Sequence, residues 1–142
     1  MEVSTVGDTK NVVESMLRAW NEHNREQWNA GFTDSAELKA PGGVSGSGTE
    51  MAGQFYDMWH DGFPDNQCDP AVIGEDGEDG FLEAVFRGTH TGPLNAPSGT
   101  VPATDKTVEI PFVVMAKIEG GKCNSFHLYF DVAGLMTQLG VS

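Results

Sequence analysis

TVEIPFVVMAKIEGGKCNSFHLYFD, Thr107 to Asp131, reads as a β-hairpin. Two runs rich in β-branched and aromatic residues flank Gly120-Gly121, and a glycine pair suits a two-residue hairpin turn that needs positive φ. The strands are predicted over Thr107–Glu119 and Lys122–Asp131. Pro111 has no N–H to give a ladder, so that point of the first strand is expected at an edge or a bulge. The second strand carries a histidine in its middle and ends on a carboxylate. Such groups are costly to bury without partners, so His127 and Asp131 are the first candidates for function.

Upstream, Gln67–Glu75 and Phe81–Thr91 read as two more strands. The GEDGEDG between them (Gly74–Gly80) is a solvated turn, lacking the ligand spacing and closing Glu of a calcium loop. Before them the periodicity is helical. Val12, Val13, Met16, Leu17 and Trp20 form one stripe of a helix over Thr9–His23, capped by Asp8 or Thr9. Asn24 can cap a second, short helix with Gln27 as its box partner, and Gly31 can stop it. Phe32–Ala40 is a strand, followed by PGGVSGSG as a flexible turn. Ser47-Gly-Thr-Glu50 has capping-box spacing, and Met51, Phe55, Met58 and Trp59 then mark a third helix that ends by Gly62. Val132–Leu139 closes the chain as a short helix. The order predicts an α+β fold, with an antiparallel, twisted sheet and helices on one face. One connection, Gly92–Asp105, is long, holds three prolines and shows no period. A connection of that kind is expected to be a lid or binding loop.

The 142 residues, 39% hydrophobic, suit one domain spanning 1–142. The formal charge of −13, from 8 basic and 21 acidic residues, argues against nucleic acid and anionic membrane as partners. No apolar run is long enough to span a bilayer. The opening MEVSTVGDTK lacks the basic and apolar regions of a signal peptide, and Cys68 and Cys123 make no disulfide framework; cytoplasmic residence is the expectation. There is no Cys-x-x-Cys, phosphate loop or His-Glu-x-x-His, and GTHTGP (Gly88–Pro93) is no dinucleotide fingerprint because nothing helical follows it. The histidines sit on separate elements without a clustered motif. No metal and no cofactor are therefore expected.

AWNEHN at the end of the first helix, FPD after the third, GTHTGPL, PATDKTVEIP, and YFD followed by GLM and QLG together resemble the SnoaL-like polyketide cyclases, over about Val12 to Val141. These belong to the superfamily of cone-shaped domains named after nuclear transport factor two. The resemblance implies a curved sheet wrapped around three N-terminal helices, with a deep apolar pocket at one end. It also implies a strand-end aspartate, by position Asp131, acting as acid/base in an intramolecular aldol ring closure. The chain departs from many relatives at His127, where they carry Trp, and near Ser125, where they carry an acidic residue.

Side chains alternate across a strand. If Asp131 faces the pocket, Ser125, His127 and Tyr129 do too, and Phe126, Leu128 and Phe130 lie on the outer face. Three large apolar residues there need cover, and a second copy of the chain is the expected one, making a homodimer. Asp131 either caps the last helix or acts as a base; one aspartate can do both. His127 is a satisfied core histidine or a proton-transfer partner. His90 either reaches the pocket mouth or fixes the Gly88–Gly92 turn. His60, beside a helix C-terminus, is explained by the helix dipole. Trp20, Phe55, Trp59, Phe86 and Phe112 are expected to line the core and pocket. Two functions follow. One is cofactor-independent acid/base catalysis, a ring closure or isomerisation on an apolar small molecule through Asp131, His127 and His90. The other is a non-catalytic small-ligand-binding or dimerisation module.

Overall fold

A computed structural model describes residues 8–141; residues 1–7, on which the expectation about a leader mostly rests, and residue 142 lie outside it. The elements are α1 (Asp8–Asn21), α2 (Arg25–Ala30), β1 (Phe32–Ala40), β2 (Val44–Ser47), α3 (Gly48–Gly62), β3 (Gln67–Asp76), β4 (Asp79–Thr89), β5 (Leu94–Ala96), β6 (Gly99–Val101), β7 (Thr107–Glu119), β8 (Lys122–Phe130) and α4 (Val132–Leu139). Six strands form one sheet in the order β2-β1-β8-β7-β4-β3, and β5 and β6 form a separate hairpin. This is the expected α+β architecture. The sheet is mixed, however, because β1 runs parallel to β8 while every other neighbouring pair is antiparallel. No helix among the described residues is long and apolar enough to cross a membrane.

Local chemistry explains most boundaries. Gly120 and Gly121 both take positive φ, 58° and 80°, as the β7–β8 turn requires. Asn24 accepts from the Gln27 N–H at 3.0 Å and its amide reaches the Gln27 side chain at 3.3 Å, so the predicted cap of α2 is in place. The expected cap of α3 is not: Ser47 occupies the N-cap position without a side-chain hydrogen bond, and Glu50 pairs with Gln54 instead. The supposed flexible turn PGGVSGSG is partly a strand. Val44–Ser47 pairs with β1 from Ala40↔Val44 to Glu37↔Ser47, driven by burial of Val44. Gly46 fits this edge because any Cβ there would fall 2.7 Å from Met51 Sδ.

Pro111 stands inside β7, a central strand, at a point where one side is free. β8 ends opposite Phe112, and beyond it the Gln138 side chain of α4 accepts from Glu109 N–H at 2.8 Å and donates to Glu109 O at 3.0 Å. Pro111 has the parity of Glu109, so its missing N–H falls on this same unpaired side.

The helices are fixed to the sheet through Asn66, which is fully buried. Its Oδ1 accepts from Trp20 Nε1 at 2.7 Å, its Nδ2 donates to Phe63 O at 2.9 Å, and its carbonyl faces His23 Nε2 at 2.9 Å. One side chain thereby ties α1 to the turn after α3. Asn66→Ala leaves a buried indole N–H unpaired, and a loss of about 2–3 kcal/mol of unfolding free energy is expected in urea titrations. A loss below about 0.5 kcal/mol would show that Asn66 does not hold the two helices.

Candidate functional site

Between the concave face of the sheet and the helices lies a cavity of about 80 Å³ with an entirely apolar and aromatic wall. β4 contributes Leu82 and Phe86, β7 contributes Ile110, Phe112, Val114 and Ala116, and β8 contributes Phe126, Leu128 and Phe130. α1 supplies Val13, Met16, Leu17 and Trp20; Trp28, Phe55, Trp59, Cys68 and Leu135 complete the wall. Leu17, Phe112 and Phe130 are the partly exposed members of this lining.

The aromatic residues hold one another edge to face. Trp20 meets Trp28 at 4.9 Å between ring centres, and Trp59 meets Phe86 at 5.3 Å and Phe130 at 5.6 Å. Edge-to-face pairs of this kind add to what burial alone contributes. Two of the three indole N–H groups are satisfied, Trp20 by Asn66 and Trp28 by the Ala52 carbonyl at 3.0 Å. Trp59 Nε1–H is buried and has no acceptor among the described residues. An unmet buried donor costs about 1–3 kcal/mol.

The wall holds one titratable group, Cys68, whose thiol burial pushes up to about 12, so it is neutral at physiological pH. Cys123, buried near the start of β8, is likewise pushed to about 12.

Of the expected lining residues, Trp20, Phe55, Trp59, Phe86 and Phe112 do line the cavity. The polar candidates do not, because the parity of β8 is the reverse of that expected. Phe126 and Leu128 are buried and Tyr129 is 55% exposed on the opposite face. His127 also lies outside, at 2.8 Å from Glu37 on β1, a contact that with Lys39 holds the Glu37 carboxyl below its usual range. Asp131 is exposed, and its Oδ1 accepts from Gly134 N–H at 2.9 Å as the N-cap of α4. The surface nominated for a homodimer, Phe126, Leu128 and Phe130, is therefore the cavity wall itself. Burial of three large apolar side chains outweighed placement of three polar ones.

His90 is fully buried but stacks on Phe63, behind the cavity. Its Nδ1 accepts from Thr104 N–H at 3.2 Å, and its backbone pairs with Asp105 and Lys106. It anchors the connection that was expected to be a lid. Gly92–Asp105 instead contains the β5–β6 hairpin, with Leu94 buried against Gly62, and none of its residues lines the cavity. Sequence reasoning overlooked Trp28, Ala116 and Leu135. The one available signal was Trp28, a large aromatic in a short helix with a strong cap.

A sequence profile of the SnoaL-like polyketide cyclases matches residues 10–139. The sequence matches no curated protein. Among solved structures, a SnoaL-like protein from Jannaschia sp. CCS1 is 20% identical with a TM-score of 0.81, over 100% of this chain and 99% of that one. A protein of ketosteroid isomerase-like fold from Catenulispora acidiphila, in complex with trimethylamine, is 16% identical with a TM-score of 0.77, over 92% and 93%. An epoxide hydrolase from M. tuberculosis is 15% identical with a TM-score of 0.72, over 94% and 90%.

Burial lowers the pKa of both His90 and His60 below the ordinary value. Below about pH 6.5 the unfolded chain takes up protons that these histidines refuse in the fold. Their contribution to stability is thus complete above about pH 6.5 and falls away as the pH drops from there. His90→Asn offers Thr104 an acceptor that does not titrate. Denaturant midpoints between pH 7.5 and 5 should therefore fall less steeply in His90→Asn than in wild type; parallel slopes would exclude His90 as a source of the effect.

Proposed function

The chain belongs to the SnoaL-like polyketide cyclase family, and we propose that it takes a small apolar molecule into the cavity between the sheet and its helices. The observation that carries this reading is the wall itself: among the described residues every side chain lining the space is apolar or aromatic, and the one titratable group there is a neutral thiol. Burying a further apolar surface there is favourable by roughly 25 cal/mol per Å². The enclosed space sets the scale. At about 80 Å³ it is smaller than the engineered cavity of roughly 150 Å³ that holds benzene. A one-ring ligand therefore enters only where side chains of the wall give way. The trimethylamine bound by a protein with this fold is smaller than one ring.

Ala116 gives a direct test, since it lines the cavity with the smallest side chain of the wall. Ala116→Leu occupies part of the space with three further carbons. Calorimetric titration with one-ring hydrocarbons and ketones should show binding to wild type, and binding weaker by roughly tenfold or more in a still-folded variant. Equal affinity in the two proteins would place the ligand elsewhere.

A second reading, acid/base ring closure or isomerisation, is favoured by one observation. Asp131 directly follows Phe130, which lines the cavity and is partly exposed, so a carboxylate stands one residue along the chain from the cavity wall. Cap and base are separable by substitution. Asp131→Ala should cost about 1 kcal/mol of stability, whereas Asp131→Asn should cost little, because Asn caps about as well. If Asp131→Asn binds ligand normally and loses turnover of a substrate that wild type converts, the aspartate is the base. Turnover at the wild-type rate in a folded Asp131→Asn protein would leave it as a cap alone.

A further inference from the structure

Four large apolar side chains are exposed among the described residues, Val72, Met115, Tyr129 and Val141, and three of them share one surface. That surface is the outer face of the six-stranded sheet, turned away from the cavity wall that Phe126 and Leu128 help to build. Val72 of β3 lies opposite Glu83 of β4, Glu83 opposite Val113 of β7, and Val113 opposite Tyr129 of β8. Met115 of β7 lies in the same way between Phe81 of β4 and His127 of β8. Residues directly opposite one another in antiparallel strands share a face. Val72, Phe81, Val113, Met115 and Tyr129 therefore form one patch across four neighbouring strands. Met115 is 41% and Tyr129 55% exposed, so no described element covers the patch.

We propose that this face docks a second copy of the chain, outer sheet face against outer sheet face, with Met115 and Tyr129 at the centre of the contact. The charge around the patch selects that occupant. The chain carries −13, so two copies repel wherever their carboxylates are bare. On this face most are not. Glu37 pairs with His127 and stands 3.9 Å from Lys39 Nζ, Arg87 pairs with both Asp69 and Glu109, and Asp79 stands 3.5 Å from Lys117 Nζ. Glu83 alone among these carboxylates has no ion pair among the described residues. The face thus sets three cations beside five carboxylates, against 8 and 21 in the whole chain, and a cationic partner is drawn more strongly to the rest of the surface. A two-fold contact joins each patch to its own copy, so apolar side chains meet at the centre and paired charges meet at a wet rim. The size also fits. From β1 to β3, and from Asp79 to Arg87 along β4, strand and residue spacings give a face of roughly 24 Å by 27 Å, or about 650 Å² before side-chain relief is counted. A stable interface takes about 800 Å² from each partner. The inference is independent of what the cavity holds.

Interfaces of this size span micromolar to picomolar affinity, so sedimentation velocity over about 1–100 µM resolves the equilibrium. Wild type is expected at twice the chain mass in the upper part of that range. Met115→Lys and Tyr129→Lys each set a cation among apolar side chains, and each should raise the dissociation constant by roughly tenfold or more. Val141→Lys makes the same change in charge at the exposed apolar residue that lies off the sheet. It should leave the dissociation constant within about twofold of wild type. Single-chain mass for wild type throughout the range overturns the proposal. So does a dimer that the three variants weaken equally, or that none of them weakens. A second measurement needs no variant. Met115 is open to oxidation in the single chain. Its conversion to the sulfoxide by excess dilute hydrogen peroxide, followed by peptide mass spectrometry, should slow as the protein concentration rises through the dissociation constant. A rate that stays constant while the protein passes from one chain to two places the interface away from Met115 and refutes the assignment of this face.

Discussion

Strand β8 can present only one of its two faces to the helices, and that single choice organises the molecule. On one face are Phe126, Leu128 and Phe130; on the other are Ser125, His127 and Tyr129. Fully burying a Leu or Phe side chain contributes about 1.5–3 kcal/mol. Turning all three outward would forfeit a sum comparable with the 5–15 kcal/mol by which domains are stable at all. No arrangement of a histidine, a tyrosine and an aspartate inside compensates for that. Once the apolar face turns in, its neighbours follow. Ala116 and Val114 of β7 lie opposite Phe126 and Leu128, and Leu38 of β1 lies opposite Phe126 on the other side. His127 then stands beside Glu37 on the outer face, where an ion pair is solvated and undemanding.

This explains which parts of the molecule were legible in the sequence. The helices α1 and α3 and the strands β3, β4, β7 and β8 announce themselves by their residue patterns, and α2 by its Asn24 cap. α4 also comes out with its bounds, since Asp131 is at once the end of a strand and a favoured cap. The inward set Leu82, Ala84 and Phe86 on β4 follows from alternation alone. On β8 the same rule anchored on Asp131 runs in the wrong phase; anchored on Phe126 and Leu128 it runs correctly. The strand also conceals an irregularity. Lys117 pairs with Ser125 but Ile118 pairs with Cys123, so one extra residue at Asn124 changes the phase, and Cys123 and Phe126 are both buried. No local pattern marks that bulge. Nor could one mark the parallel pairing of β1 with β8, which depends on segments some 90 positions apart in sequence.

The short elements were hidden for a different reason. β2, β5 and β6 span only 4, 3 and 3 residues, too few for a period to register. Their formation rests on tertiary partners. Leu94 packs against α3 at Gly62, and His90 receives the Thr104 N–H across the base of the hairpin. His90 is an unusual buried residue but lies outside the cavity lining. A histidine stacked on Phe63, two rings from the cavity, is recognisable only when the packing is known.

The separation of charge from cavity has a chemical consequence of its own. The protein carries a formal −13, yet among the described residues no charged side chain lines the space enclosed by the sheet. A hidden charge would have required partners, and the partners would have had to be buried with it. Under the binding reading proposed above, an apolar wall is indifferent to most of a ligand's chemistry and sensitive to its shape. Two of the three indole donors are spent within the fold, Trp20 on Asn66, which ties α1 to the turn after α3, and Trp28 on the Ala52 carbonyl. Asp131 follows Phe130 where α4 begins, exposed and outside the cavity lining. Proteins of this fold with different reactions can in this way share a core and differ at its rim.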